Sequence, residues 1–382
     1  MEYVKLGELT QVVTGSTPKT NNEEFWDGEH LWITPAEIKE NDKYISTTKR
    51  QITDLAVKSS NVKLLPKNTV LLSSRAPIGK VAIVAEPMYC NQGFKNLICD
   101  EERLSPEYLF HWLKSKKDYL NSLGRGATFK EISKTIVEEI EIPLPSLETQ
   151  QKIADTLDKA QQLINNRKQQ ITELDNLTQS IFYEMFGDPV LNTKNWEITR
   201  VIDVCDCMVP GRDKPKSFTG DVPWITIDDL IFKGITRNSK KGLGLSNEEI
   251  TAVKRKAIPK DSVIMSCVGN LGITSVADQE MIINQQLHSF QCKEKINPIY
   301  LCHILPYYRE QMERQATSTT VLYMNKTVCN NIQIILPNIE LQEKYAEIAQ
   351  KIEEEKTILV KGLNELEANF NSIMQKSFKG EK

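Results

Sequence analysis

Polar loops that combine hydroxyls, amides and cations are the part of this chain best equipped for binding chemistry. A turn at 73–80, SSRAPIGK, offers Ser73, Ser74, Arg75, Gly79 and Lys80. Hydroxyls, cations and backbone amides at a tight turn suit phosphate oxygens. The stretch 91–93, NQG, adds the side-chain amides of Asn91 and Gln92, which can read the N6/N7 edge of adenine. The loop 124–130, GRGATFK, adds Arg125, Thr128 and Lys130.

The second half of the chain carries corresponding loops at 266–272, 284–286 and 314–320, and its basic loop 211–216 aligns with 15–19. These loops add the candidate binding residues Lys19, Arg212, Lys214, Asn270, Asn284, Gln285, Thr317, Ser318 and Lys326. Each loop also has a plainer interpretation. A polar Gly turn can simply join two strands, and an Asn-Gln pair can satisfy local backbone groups. Trp32 and Trp224 are interpreted as core residues.

Catalytic motifs do not emerge from the sequence. There is no GxxxxGK[ST] phosphate loop, no dinucleotide fingerprint and no nuclease-like carboxylate arrangement. The eight cysteines form no CxxC and no Cys/His cluster, which predicts reduced, buried thiols and no zinc site. The N-terminus lacks an apolar signal segment, and no run approaches 18 apolar residues. These features predict a cytoplasmic protein without a membrane partner.

The elements that position these loops occur twice. The stretch 142–188 matches 334–380 at a constant offset of 192 residues, so that Gln150 falls on Gln342 and Phe186 on Phe378. LWIT at 31–34 matches PWIT at 223–226, and 64–84 matches 257–277 at an offset of 193. A repeat of this length indicates duplication. It predicts two globular domains, at 1–141 and 189–333, each followed by a long helical segment, at 142–188 and 334–382.

Each helical stretch carries an unbroken heptad of mainly apolar residues. The predicted seam residues are Ile153, Leu157, Ile164, Ile171, Leu174 and Ile181 in the first copy, and Tyr345, Ile352, Leu359, Leu363, Leu366 and Phe370 in the second. A spacing of 3.5 residues keeps one seam facing a partner helix. Because each half has one seam, the two helices are predicted to pair as an antiparallel coiled coil. The alternative is that each helix packs on its own domain.

Short β-branched runs such as TVLLSSR and SVIMSCV predict β-rich domains, so the fold class is α+β with a pseudo-two-fold internal repeat. Ser105-Pro106 and Asn297-Pro298 predict helix caps. Asn297-Pro-Ile-Tyr is similar to the NPPY loop of amino-methyltransferases. Its partner in the repeat is Ser105-Pro-Glu-Tyr, which favours the cap over a catalytic loop.

The chain resembles the specificity subunit of type I restriction–modification systems over essentially all of its length. The motifs are the repeated helix entry (IPLPSLETQQKIA and ILPNIELQEKYA), the S-x-R-x-x-I-G-K turn at 73–80, the NQG at 91–93, and G-x-G-A-T before Lys134. The second half departs from this pattern. Asn270-Leu271-Gly272-Ile273 replaces the Pro-Ile-Gly-Lys turn, so residue-level transfer of DNA contacts is not implied there.

The resemblance implies a non-catalytic subunit whose two domains each read one half of a bipartite site on double-stranded DNA. It implies a coiled coil that sets the gap between the half-sites. It further implies assembly with two methyltransferase subunits and, optionally, with endonuclease/translocase subunits. S-adenosylmethionine and ATP would be bound by those partners, and this chain would bind no cofactor and no metal.

Two other functions stay open on the residues alone. One is a coiled-coil adaptor whose globular domains bind protein or carbohydrate. The other is a standalone enzyme, for which the sequence offers no catalytic set. The formal net charge of −3 means that any nucleic-acid role must rest on local basic surfaces rather than on a basic chain.

Overall fold

The computed structural model describes residues 2–75, 77–126, 130–211, 213–318 and 321–379. They form two compact units. The first unit comprises Met1–Lys168 and Gly362–Lys382, and the second comprises Gln169–Lys361. Each unit therefore contains one globular domain and a part of both long helices. The predicted boundaries at 141, 188 and 333 separate domains from helices, which is a different division from these two units. They remain predictions.

The first unit is β-rich with short helices. Its strands are β1 (Tyr3–Lys5), β2 (Thr10–Thr14), β3 (Trp26–Ile33), β4 (Tyr44–Ile45), β5 (Arg50–Ile52), β6 (Val70–Leu72), β7 (Val81–Val84), β8 (Tyr89–Cys90), β9 (Lys95–Cys99) and β10 (Glu141–Pro143). Its short helices are α1 (Leu6–Leu9), α2 (Asp54–Ser59), α3 (Pro106–Ser115), α4 (Lys117–Leu123) and α5 (Lys134–Glu138), with a 3-10 turn at Glu23–Phe25. The first long helix, α6 (Leu147–Phe186), follows.

The strands of the first unit form three sheets. A five-stranded sheet has the order β2-β9-β6-β7-β4, a three-stranded sheet has the order β5-β3-β8, and β1 pairs with β10. β6 and β7 are antiparallel on either side of the 73–80 turn, so this segment is a hairpin. β3 and β8 are parallel, which places their carboxyl ends at one edge of the small sheet.

The second unit repeats this arrangement. Its strands are β11 (Glu197–Arg200), β12 (Cys205–Met208), β13 (Val222–Ile225), β14 (Gly234–Thr236), β15 (Gly244–Leu245), β16 (Val263–Ser266), β17 (Thr274–Ala277), β18 (Ile282–Ile283), β19 (Leu287–Cys292), β20 (Thr317–Ser318), β21 (Leu322–Tyr323) and β22 (Gln333–Leu336). Its helices are α7 (Val201–Val204), α8 (Asn247–Ala252), α9 (Pro298–Ile304), α10 (Arg309–Gln315), α11 (Lys326–Asn330) and α12 (Ile339–Lys379), with 3-10 turns at Ile227–Asp229 and Leu305–Tyr308.

The sheet orders of the second unit are β12-β19-β16-β17-β14, β15-β13-β18 and β11-β22, which match those of the first unit strand for strand. Only the small β20-β21 pair, among the described residues, has no named counterpart. The duplication and the α+β class predicted from the sequence are therefore confirmed. Both predicted helix caps are present, because Ser105 and Asn297 accept hydrogen bonds from backbone N–H groups in the first turns of α3 and α9.

Segments of the two long helices run antiparallel within each unit. In the first unit, Lys168 of α6 pairs with Glu367 of α12 at 2.7 Å, and Leu157 shares a core with Phe378. In the second unit, the rings of Phe182 and Tyr345 lie 5.4 Å apart. Every predicted seam residue, from Ile153 to Phe370, is buried or half-buried, so the antiparallel pairing is confirmed.

The alternative packing on the globular domains also occurs, at the ends of both helices. Phe182 and Phe186 of α6 are fully buried in the core of the second unit, together with Tyr345 and Ala349 of α12. Leu157 is buried in the core of the first unit. The heptad pattern missed Phe182 and Phe186 because they lie beside the seam, on the face that meets the domain. Gly187, with φ of +75°, ends α6.

A buried glutamine at the start of each long helix joins that helix to a globular domain. Gln150 accepts a hydrogen bond from the Ser105 N–H (2.8 Å) and donates to the carbonyls of Arg103 and Pro145 (both 2.9 Å). Gln342 repeats all three contacts, with Asn297 N–H (2.9 Å) and the carbonyls of Lys295 (3.2 Å) and Pro337 (2.8 Å). The matched residues of the repeat therefore perform a matched structural task.

The cysteines are all free thiols, five of them buried and three half-buried. Among the described residues, no group of three or more His, Cys, Asp or Glu side chains is arranged to hold a metal ion. None of the helices in the described ranges combines the length and the apolar composition that crossing a membrane requires.

Candidate nucleic-acid interface

The two amide loops lie at the same place in the two units, directly after the parallel strands β8 and β18. Asn91 donates its backbone N–H to the carbonyl of Ile33 at the end of β3 (3.0 Å). Asn284 donates in the same way to Ile225 at the end of β13 (2.9 Å). The carboxyl ends of parallel strands are a common place for ligand-binding loops in mixed folds. Both loops are therefore presented at the edge of the small sheet.

Within each loop, the asparagine shapes the backbone and the following glutamine is presented at the surface. The Asn91 side-chain oxygen accepts the Gly93 N–H (2.9 Å), and the Asn284 oxygen accepts the Gln286 N–H (3.0 Å). Gln92 and Gln285 are exposed. The local structural interpretation thus describes the asparagines. The Gln92 side-chain oxygen accepts a hydrogen bond from the Thr17 hydroxyl. Both glutamines still lie at the surface, where a side-chain amide can meet a base edge.

An aromatic pair with a stacked arginine flanks the amide loop in both units. Trp26 and Trp32 meet edge to face with ring centroids 5.0 Å apart, and the Arg50 guanidinium lies 3.5 Å from the centroid of Trp26. In the second unit, Phe218 and Trp224 meet at 5.9 Å. Trp26, Trp32 and Trp224 are buried. The exposed members of the two groups are Arg50 and Phe218, which can stack on bases or sugars.

The second unit supplies its arginine from a different position. Arg255, which follows α8, lies 5.0 Å from the Trp224 ring and is bonded to the carbonyls of Asp213 and Ile283. Trp32 and Trp224 are buried, as predicted. The sequence reasoning missed Trp26, Phe218 and both arginines. The 192-residue offset between Trp26 and Phe218 was the available signal.

Three residues of the 73–80 turn use their side chains in hydrogen bonds within the chain. The Ser73 hydroxyl donates to the carbonyl of Pro77 and accepts from the Lys80 N–H, both at 2.8 Å. The Ser74 hydroxyl donates to the carbonyl of Gly93 (3.1 Å). The Lys80 ammonium donates to the carbonyls of Pro35 and Ile38. The plain structural interpretation therefore describes Ser73 and Ser74, which are fully buried. Gly79, with φ of +88°, makes the turn possible.

Ser266 closes the equivalent turn of the second unit in the same way. Its hydroxyl donates to the carbonyl of Asn270 (2.6 Å) and accepts from the Ile273 N–H (2.8 Å). The shared serine is thus part of the repeated scaffold, and the side chains between the two closing contacts are free to differ between the units.

Arg75 belongs to an exposed ion-pair cluster beside this turn. Its guanidinium binds Glu131 at 2.9 Å, and the buried Lys95 binds the other oxygen of Glu131 at 3.0 Å. Burial alone would raise the pKa of Glu131, but the hydrogen bonds from Lys95 and Arg75 lower it overall. Arg125 forms a backbone bridge with Glu131. The backbone N–H of Ser74 reaches the carbonyl of Gly93 (2.8 Å), which joins this cluster to the amide loop.

The matching positions of the second unit have different chemistry on the same backbone. Val268 bridges Tyr323 where Arg75 bridges Glu131. The Cys267 N–H donates to Gln286 O (2.8 Å), and the Met324 N–H donates to Cys267 O (2.9 Å). The two surfaces therefore share a scaffold and differ in the groups that they present.

A shallow cavity of about 310 Å³ opens at this surface of the second unit, lined by Lys214, Phe218, Trp224 and the 284–286 loop. Asn270 is exposed in the nearby turn. The exposed Thr317 donates its hydroxyl to the carbonyl of Tyr323 (3.2 Å), and β20 pairs with β21. Aromatic, amide and cationic groups around one opening can contact base edges and phosphates together.

The remaining predicted residues are at the periphery. Lys19 is exposed, and its carbonyl accepts a hydrogen bond from the Trp26 indole (3.3 Å). Lys130 is exposed, and so is Lys326 at the first residue of α11. Thr128 and Arg212 lie outside the described residues, and of Ser318 only the backbone, in β20, is described. The structure therefore brings together Arg75, Gln92 and Arg125 in one unit, and Gln285 and Lys214 in the other.

Comparison of the sequence with known proteins identifies one family. The family model described as "Type I restriction modification DNA specificity domain" matches residues 1–175 and 193–368. The chain is 30% identical over 377 residues to the type I restriction enzyme MjaIX specificity subunit of Methanocaldococcus jannaschii, covering 91% of this chain and 85% of that protein.

Solved structures share the fold over almost the whole chain. The S subunit of a type I restriction–modification system from M. genitalium has a TM-score of 0.64 at 16% identity, covering 99% of this chain and 96% of that one. A chain from a study of complex assembly and conformational transition of the type I R-M system has a TM-score of 0.59 at 20% identity, covering 100% and 98%.

Proposed function

The chain belongs to the family of type I restriction–modification specificity subunits, and from that premise we propose that each of its units reads one half of a bipartite site on double-stranded DNA. As a specificity subunit it is not an enzyme. Membership of the family also decides against the adaptor and the standalone enzyme that the sequence alone left open.

The observation that carries the proposal is the repeated surface at the carboxyl ends of the parallel strand pairs, β3-β8 in the first unit and β13-β18 in the second. In both units an exposed glutamine, Gln92 or Gln285, follows an asparagine that fixes the loop. In both units an aromatic pair packed on an arginine lies beside it; Arg50 is exposed in the first unit, and Arg255 is buried in the second. A side-chain amide can pair with the N6/N7 edge of adenine, and each good pair contributes about 1–3 kcal/mol of discrimination.

The differences between the two surfaces support two different half-sites. The first unit presents Arg75 and Glu131 where the second presents Val268 and Tyr323. An exposed arginine suits guanine O6/N7 or a phosphate, whereas valine and tyrosine suit the thymine methyl group and the sugar. The same scaffold would therefore read two unrelated sequences.

Partner subunits complete the proposed activity. Two methyltransferase subunits and, optionally, endonuclease/translocase subunits would assemble on this chain, and they would bind S-adenosylmethionine and ATP. Their contacts with phosphate would add affinity for DNA. This chain, with a net charge of −3, can contribute phosphate contacts only through local basic surfaces. Exposed apolar side chains on the long helices, Leu163 and Leu177 on α6 and Ile358 on α12, suit a protein contact.

The long helices would act as the spacer between the two readers. Each is a single continuous helix, of 40 residues for α6 and 41 for α12, so its length is fixed by backbone hydrogen bonds. A spacer of fixed length would set the number of unread base pairs between the half-sites.

The test is to change one glutamine at a time in the assembled complex and to determine the methylated sequences. Gln92→Ala should relax the specified base at one position in one half-site, and Gln285→Ala should do so in the other. The control is Gln11→Ala, because Gln11 is an exposed glutamine on β2, in the five-stranded sheet.

Relaxation of the same half-site by both glutamine variants would refute the assignment of one half-site to each unit. An unchanged motif in both variants, with methylation still active, would show that the amide loops do not read bases. A change in the control would show that the effect is not local to the amide loops.

A further inference from the structure

A basic cleft lies on the first unit, on the α3 and α4 side of the 73–80 turn. Its volume is about 450 Å³, and its charged lining consists of Lys39, Lys80, Lys114, Lys117 and Glu40. Four ammonium groups and one carboxylate give the cleft a net positive charge. The binding residues discussed above do not explain this surface, apart from Lys80, which stabilises the turn.

Two of the four ammonium groups of this cleft donate hydrogen bonds to carbonyls rather than to carboxylates. Lys80 donates to the carbonyls of Pro35 (2.9 Å) and Ile38 (2.8 Å), and Lys114 donates to the carbonyl of Glu40 (3.1 Å). Within the described part of the chain, none of the four lysines forms an ion pair. Burial lowers the pKa of Lys114. The nearby Glu40 carboxylate opposes this lowering in part. A bound anion would stabilise this half-buried cation further.

The second unit has lost this charge at the matching positions. At the repeat offset, Lys39, Lys80 and Lys114 correspond to Ile231, Ile273 and Pro306. Lys117 corresponds to Arg309, whose guanidinium is paired with Glu313 at 2.8 Å. The fold therefore does not require cations here, since the same backbone forms without them. The four lysines therefore serve a role that is specific to the first unit and is not folding.

The cleft adjoins the surface that is proposed to read DNA. Gly79 and Lys80 line it, and Arg75 is four residues before Gly79 on the same turn. A chain of four residues spans at most about 14 Å. Because each strand of a duplex carries one phosphate per 3.4 Å of axis, this distance corresponds to about four base pairs. A duplex contacting Arg75 thus has phosphates within reach of the cleft.

We propose that the Lys39, Lys80, Lys114 and Lys117 cleft is a phosphate-binding site for the DNA backbone beside the half-site read by the first unit. The proposal rests on the proposed function, because it assigns a DNA contact to the same unit. It makes recognition asymmetric. The first unit holds DNA through sequence-independent phosphate contacts as well as base contacts, whereas the second unit lacks the equivalent site.

The test uses the complex assembled on this chain and the salt dependence of its affinity for duplex DNA. Lys39 and Lys117 are exposed, so Lys39→Gln with Lys117→Gln leaves the buried structure intact. Each lost phosphate contact lowers the slope of log K against log salt by about 0.9, so the double variant should lose about 1.8. Its affinity deficit should then shrink about tenfold between 50 and 200 mM salt. Discrimination between specific and unrelated duplexes should be unchanged. Arg309→Gln is the repeat-matched control and should leave the slope unchanged.

An unchanged slope in the double variant would overturn the cleft proposal while leaving the proposed function intact. Failure of the double variant to assemble with its partner subunits would also overturn it, because the cleft would then bind an acidic protein surface. If the wild-type complex showed no preference for any duplex, the proposed function would fail. The slope on unrelated duplex DNA would still decide whether the cleft binds phosphate.

Discussion

Replacing the buried glutamine at the start of a long helix should uncouple that helix from its globular domain in one unit only. The perturbation is Gln150→Met, which keeps the side-chain length and the helix preference but removes the amide. The Ser105 N–H then loses its acceptor, and the carbonyls of Arg103 and Pro145 lose their donor. The same substitution at Gln342 acts on the matching contacts in the second unit.

The expected cost follows from the burial of these groups. Gln150 is fully buried and Ser105 is nearly so. Leaving a buried polar group without its partner costs about 1–3 kcal/mol. The cost is smaller for the two carbonyls than for the N–H, because a carbonyl oxygen has two lone pairs and can accept another hydrogen bond. The unfolding free energy of the first unit should therefore fall by about 3 kcal/mol. For a unit of this size, that corresponds to a drop in melting temperature of about 6–12 °C.

Amide hydrogen exchange assigns the effect to a unit. A loss of about 3 kcal/mol raises the population of the open state by a factor of roughly 100. Gln150→Met should accelerate exchange in peptides that cover 103–109 and leave those that cover 295–301 unchanged, and Gln342→Met should do the reverse. Gln151→Met is the matched control, because Gln151 is the exposed neighbour on the same turn of α6.

Equal acceleration in both units by either variant would refute this account of the glutamine. Wild-type exchange at 103–109 in Gln150→Met would refute it equally, since the three contacts would then contribute nothing to stability.

Three further predictions follow from other features. Burial lowers the pKa of His288 and His303 to about 4. From an ordinary value of about 6.5, the unfolded state therefore binds more protons between these pH values, and the second unit should lose up to ~3 kcal/mol per histidine as pH falls from about 6.5 to about 4. Urea unfolding should show this, His303→Gln should remove about half of it, and a pH-independent midpoint would contradict it. Arg75→Ala should lower the rate of DNA methylation about tenfold, through weaker recognition of the half-site that the first unit reads. Methylation kinetics on duplexes altered in one half-site at a time would locate the loss. A loss at the half-site read by the second unit would contradict this prediction. Inserting seven residues after both Lys168 and Lys361 should lengthen the spacer by about 10 Å, or about three base pairs, with both half-sites unchanged; altered half-site bases in the methylated motif would exclude the spacer role.

Much of the fold could be predicted because the duplication makes one half a test of the other. The heptads predicted the seam, and the Ser105 and Asn297 caps predicted two helix starts that the structure confirms. Phe182 and Phe186 could not be assigned, because a heptad describes contact with one partner helix and these residues contact a domain. A heptad pattern identifies one buried face of a helix, so it does not identify a second buried face on the same helix.

The candidate site was only partly predictable, for a different physical reason. Residue type indicated hydroxyls and cations at the 73–80 turn, but Ser73, Ser74 and Lys80 form hydrogen bonds within the chain. Whether a polar side chain is committed to its own backbone depends on distances that sequence spacing does not give. The repeat could not identify the arginine beside the aromatic pair, because Arg50 and Arg255 are not at matching positions in the two halves.

Recognition of two half-sites by the two units is tested most directly by methylome sequencing of the host with and without this chain. Deletion should remove one bipartite motif, consisting of two specified half-sites separated by a fixed number of unspecified bases. Restoring the wild-type chain should restore the motif, and restoring Gln92→Ala should relax one half-site only. A methylome that is unchanged by the deletion, or the loss of a single continuous motif, would contradict the claim that two units read two half-sites.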